Sequence, residues 1–220
     1  MSAQENTEAA FIAKITANTT HEIRNVLAIV KESAGLIDDM VRLFVRRGSL
    51  DQEKLANAVR RIDAQVSRGA EIVTRLNRFA HSLDHHQIEV DLQQEVQQVV
   101  FLCQRYLKQK RHEVQVQPSQ EPVPFVTNSL WLQMTLCSGV ECCLEQMPER
   151  SALSMSIVRE DGGAAIRFIC DAVDQPGLPD PRQADGWPRL CELADGIDAV
   201  VETQDPGCRL KVFLPATAAP

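Results

Sequence analysis

The sequence predicts an α+β protein in which two long helices precede a layer of helices on a mixed sheet. Three observations predict it. All eleven prolines lie at or after Pro118, and proline breaks helix interiors by removing a donor and clashing with the preceding turn. In the proline-free part, apolar residues recur at alternating steps of three and four, the helical spacing. Downstream, short alternating runs flank Asp161-Gly162-Gly163 and Asp205-Pro206-Gly207, both strong hairpin signals.

The first helix is predicted from about Asn6 to Arg46. Its stripe is Ile12, Ile15, Thr19, Ile23, Val26, Val30, Ala34, Ile37, Val41 and Phe44. Arg46-Arg47-Gly48 ends it, with cations in the last turn and then a glycine suited to a left-handed conformation. Ser49 with Gln52, or Asp51, caps the next helix, predicted over Leu50 to Leu83. Its stripe is Leu55, Val59, Ile62, Val66, Ala70, Val73, Leu76, Ala80 and Leu83. A short turn between two long helices makes an antiparallel hairpin. Such a hairpin buries little core alone, so pairing with a second copy into a four-helix bundle is expected, hence a homodimer.

Past Asp84-His85-His86 the pattern changes, which sets the expected domains at 1–86 and 87–220. Asp91 to Lys110 reads as a helix, His112 to Gln117 as a strand, and Leu130 to Met147 as a helix closed by Pro148. Strands are predicted over Leu153–Val158, Ala164–Cys170, Ile197–Thr203 and Cys208–Leu214, with a short helix over Arg189–Ala194. Helix, strand, helix, hairpin, short helix and hairpin together predict helices packed on one face of a mixed sheet.

Composition narrows the function. A net charge of −7 argues against nucleic acid, whose phosphates select basic surfaces. No apolar run approaches the roughly 18 residues of a membrane span. The N-terminus has no basic segment followed by an apolar core, so no signal peptide is read and a cytoplasmic protein is expected. The seven cysteines are odd in number, lack C-x-x-C spacing and sit mostly in apolar runs, so they read as small buried hydrophobes. His81 and His85 lie four apart and near His86. They read as cations at a helix C-terminus, and no metal site is expected.

The chemistry centres on His21-Glu22-Ile23-Arg24-Asn25. Positions three and four apart are neighbours on a helix, so His21, Arg24 and Asn25 share a face. His21 falls off the apolar stripe and should be exposed. A neutral imidazole attacks phosphorus with one nitrogen while its other nitrogen keeps the proton.

HEIRNVLA at 21–28 resembles the phosphoacceptor motif of bacterial histidine kinases. LWLQMTLCSGVECCLEQMP at 130–148 is similar to the helix carrying that family's asparagine box, and 192–215 is similar to its closing strands. The resemblance covers nearly the whole chain. It implies a dimeric helical hairpin followed by an ATPase-like sandwich, with His21 as acceptor. Glu22 would then fix the tautomer, Arg24 neutralise the transferred group, and Asn25 orient a water that removes it. Val26 replaces the family's usual proline, so a kink there is not expected.

The departures fall on the nucleotide site. Ser138 and Cys142 stand where the family has asparagines, and a thiol is a poor ligand for magnesium, which wants oxygen. The first glycine box is reduced to the run from Asp171 through Asp174 to Gly177, with either acid as the adenine reader. Gly186 is the one later glycine of the shortened lid. These features imply a retained fold, lost ATP binding and no cofactor in this chain. The phosphoryl donor is then expected to be an aspartyl phosphate on a response-regulator receiver domain, which supplies its own magnesium. The chain reads as a histidine phosphotransferase of the dimeric kind. A divergent ATP-dependent kinase and a silent dimer that binds a receiver or kinase are the alternatives.

Overall fold

The computed structural model describes residues 3–84, 87–119, 121–170, 180–203 and 209–216. The chain forms two compact units, Met1–Arg78 and Phe79–Pro220. The division falls in the last turn of the second helix, earlier than the change of pattern at 86.

The first unit is the hairpin. Helix α1 spans Ala3–Arg47 and α2 spans Gln52–His81. Gly48 takes a φ of 67° between them, the left-handed cap expected after Arg46-Arg47. The Asp51 carboxylate accepts from the Lys54 amide at 3.0 Å, so Asp51 caps α2. Phe11, Ile15, Val26 and Met40 of α1 are buried, as are Ala58 and Ile72 of α2. The helices run antiparallel, because Glu22 pairs with Arg68 while Glu32, further along α1, pairs with Arg61. Val26 sits tight against α2: a Cβ at Gly69 would stand 3.3 Å from its Cγ1. No helix among the described residues is long and apolar enough to cross a membrane.

One stripe of the hairpin stays uncovered. Val59, Val66 and Val73 are 51%, 55% and 55% exposed and lie seven residues apart, two turns of one helix face. Val41 and Phe44 of α1 are also exposed.

The second unit is α+β. In chain order it holds β1 (Ile88–Asp91), α3 (Leu92–Lys110), β2 (Glu113–Val116), β3 (Pro124–Thr127) and α4 (Ser129–Gln146). Then follow β4 (Ala152–Glu160), β5 (Gly163–Cys170), a 3-10 turn (Pro181–Gln183), α5 (Trp187–Asp195), β6 (Val200–Thr203) and β7 (Arg209–Pro215). Five strands form a mixed sheet in the order β2-β4-β5-β7-β6, with only β2 and β4 parallel. The turn Asp205-Pro206-Gly207 lies outside the described residues.

Register explains which face is covered. Met155, Phe168 and Leu210 stand opposite one another across three strands, as do Ile157, Ile166 and Val212. All six are buried. Helix α4 lies on this face, since a Cβ at Gly139 would meet Leu210 at 3.1 Å and Phe168 at 3.2 Å. The opposite face carries charges: Glu160 pairs with Arg167 at 2.8 Å and with Lys211 at 3.0 Å. Helices on one side and ion pairs on the other give the expected two-layer arrangement.

Two short strands were not anticipated from the sequence. β1 and β3 pair antiparallel as a separate two-stranded sheet. Asp91 joins this sheet to α3. Its carboxylate accepts from the Gln93 amide, as the N-cap, and from the Val123 amide, each at 3.2 Å.

Candidate functional site

The His21 site forms on an uninterrupted stretch of α1. With Val26 in place of proline, every backbone donor of this stretch remains available, and α1 continues through it as one helix. Buried Thr19 and Val26 fix the face that meets α2. His21, Arg24 and Asn25 lie away from that face and are exposed. The Asn25 amide reaches back one turn, with Nδ2 3.2 Å from Nδ1 of His21. That contact needs only the i, i+4 spacing.

Glu22 goes elsewhere. Its carboxylate forms an ion pair with Arg68 of α2. The group that meets the imidazole within the motif is therefore Asn25, and Glu22 ties the two helices together. Arg68 was not singled out from the sequence. The available signal was an arginine on the facing helix, forty-six residues from its acid, which needs the hairpin register to be read.

Histidines 85 and 86 lie outside the described residues. His81 Nδ1 is 2.9 Å from Asp84 Oδ2, so it closes the end of α2. Among the described residues, no group of three or more His, Cys, Asp or Glu side chains is placed to hold a metal ion.

Two of the positions resembling a nucleotide site, Ser138 and Cys142, lie on α4. Every residue of α4 except Glu141, Glu145 and Gln146 is buried. Ser138 and Cys142 are 7% and 1% exposed. Burial pushes the Cys142 thiol up to about 12, with the carboxylates of Glu145 and Glu141 adding to it. A thiol must lose its proton to bind a metal, so Cys142 presents a neutral S–H at physiological pH. Of these two side chains, the protonated Cys142 thiol does not fit magnesium, which takes oxygen ligands.

Residues 185–196 close on the same helix. A Cβ at Gly186 would stand 3.3 Å from the Cys142 sulfur. The Asp185 amide donates to Glu145 Oε1 at 3.3 Å. A Cβ at Gly196 would fall 2.1 Å from the Trp131 ring, so the end of α5 lies directly on α4 and only glycine fits. Gly186 serves as the N-cap position of α5 and as a contact with α4. Asp171, Asp174 and Gly177 lie outside the described residues.

No protein-family model matches the chain, and no curated protein matches it in sequence. Solved structures do. The catalytic domain of histidine kinase ThkA superposes with a TM-score of 0.50 at 10% identity, over 61% of this chain and 100% of that one. Over that matched part the fold is that of a histidine-kinase catalytic domain. Also similar are the Acinetobacter baumannii histidine kinase AdeS (TM-score 0.47, 11% identity, 90% of this chain and 98% of that one) and the cytoplasmic segment of histidine kinase QseC (0.45, 16%, 69% and 95%).

Proposed function

We propose that this kinase-like chain is a histidine phosphotransferase that moves phosphoryl groups between His21 and aspartates of receiver domains. One observation carries the reading. The acceptor imidazole is exposed on α1, while Ser138 and Cys142, at the positions of the family's asparagines, are buried.

The chemistry follows from the acceptor. The free ring nitrogen attacks the phosphorus of an aspartyl phosphate in line, and the P–O bond to the aspartate breaks. The carboxylate leaves with the electron pair. The exposed Arg24 guanidinium adds positive charge beside the phosphoryl oxygens, and the magnesium expected on the receiver would supply more. Return to a second receiver reverses these steps. The partners in this reading are a receiver and a second copy of the chain, in the cytoplasm, with no nucleic acid or membrane. The uncovered Val59, Val66 and Val73 stripe supports the second copy, since a seven-residue apolar repeat is the seam of a helix bundle.

A second reading is an ATP-dependent kinase core. The likeness to the catalytic domain of histidine kinase ThkA favours it. Incubation with a panel of acyl-phosphorylated receivers tests the first reading. At least one receiver should label the wild type, and His21→Ala should abolish the label. Label that survives the substitution moves the acceptor elsewhere.

A further inference from the structure

We infer that Asn25 is a positioning residue that decides which nitrogen of His21 is nucleophilic, and that Glu22 has no part in this. The inference rests on the phosphotransfer reading. Two observations carry it. The Asn25 amide meets Nδ1 of His21 at 3.2 Å. The Glu22 carboxylate is held by Arg68 across the hairpin.

A neutral imidazole has one N–H and one lone pair, and the hydrogen bond at one nitrogen sets the role of the other. A side-chain amide offers a donor on one side and an acceptor on the other, exchanged by a half-turn of its plane. With Nδ2 toward the ring, Nδ1 accepts and Nε2 carries the proton. Both nitrogens are then engaged or protonated, and the ring is at rest. With Oδ1 toward the ring, Nδ1–H donates to it and Nε2 presents its lone pair outward.

Transfer proceeds from this second arrangement. The Nε2 lone pair forms the N–P bond as the P–O bond to the donor aspartate breaks, and that carboxylate takes the electron pair. The Nδ1 proton stays in place on Oδ1, so the positive charge gained by the ring is held by an acceptor already in contact. No oxidant, reductant or further proton carrier is needed. Asn25 does not touch phosphorus; it acts through the ring.

The test is two-bond proton–nitrogen NMR on the full chain labelled with 15N-histidine. The His21 signals are assigned from their loss in His21→Ala. Spectra are taken on the alkaline side of the ring's own titration, followed in the same experiment. The Nδ1–H form should be populated in the wild type and in Asn25→Asp, which can only accept. Asn25→Ala should lose it, and Glu22→Gln should keep it. Transfer from a phosphorylated receiver should fall about tenfold in Asn25→Ala, the lower end of what losing the hydrogen-bond partner of a metal-ligating histidine costs, and recover in Asn25→Asp. A tautomer ratio unchanged in Asn25→Ala, or one that moves in Glu22→Gln, overturns the inference. A wild type that no receiver labels overturns the phosphotransfer reading instead, and the tautomer measurement still decides the role of Asn25.

Discussion

Two helices carry two of the motifs that resemble a histidine kinase, and they have opposite surroundings. Helix α1 presents His21, Arg24 and Asn25 to solvent on a hairpin whose valine stripe is uncovered. Helix α4 is buried along nearly its whole length, with Ser138 and Cys142 turned into neutral packing. A phosphoacceptor needs an exposed imidazole and a neighbour that sets its tautomer. A nucleotide site needs open space, oxygen ligands for magnesium and glycine amides that approach phosphate. The first set of requirements is local to two turns of helix. The second is distributed over several elements, α4 among them, so a few substitutions there would remove it without unmaking the fold.

Three changes sharpen or break this contrast. The largest effect is expected from Val66→Asp. If the open hairpin is closed by a second copy, a carboxylate in that seam is desolvated without a partner, costing at least about 2 kcal/mol. Sedimentation should show dimer giving way to monomer. A monomeric wild type breaks the contrast, because the stripe then needs another cover.

Next comes the pH response of α4. The folded Cys142 thiol lies at about 12, against an ordinary value of 9.0. The folded state therefore holds a proton that the unfolded chain loses. Stability from this group is complete below pH 9.0 and is lost as pH rises from there toward about 12. The slope is up to ~1.4 kcal/mol per pH unit. Urea titrations of wild type and Cys142→Ala across that window should show a steeper loss in the wild type. Equal slopes mean that the thiol is not sealed in.

The smallest effect belongs to Glu22→Gln. Glu22 and Arg68 are partly exposed, so their pair contributes about 0.5–1 kcal/mol to the hairpin. Thermal unfolding should show a small shift that Arg68→Ala reproduces and that is not additive with it. Additive losses mean that the two side chains act separately.

Much of the fold was legible in the sequence, and the reasons are local. The caps at Gly48 and Asp51, the α1 stripe and the turn at Asp161-Gly162-Gly163 each act within a few residues. The β1 and β3 strands were not legible. Each is four residues long and pairs only with the other, and Pro124 opens β3 where alternation would otherwise be read. At the site, the exposure of His21 followed from its place off the stripe. The partner of Glu22 did not, because Arg68 meets it only once the hairpin register is set. Likewise the contacts of Gly186 with Cys142 and Gly196 with Trp131 join residues far apart in the chain, and nothing in either segment alone announces them.

The central claim is that the phosphoryl group on His21 comes from an aspartate and not from ATP. Parallel incubations with γ-labelled Mg-ATP and with labelled acyl-phosphate receivers test it most directly. Label at His21 from a receiver and none from ATP, with no heat of Mg-ATP binding by calorimetry, is the predicted result. Label at His21 from ATP alone, with micromolar binding, would contradict it and make the chain a kinase.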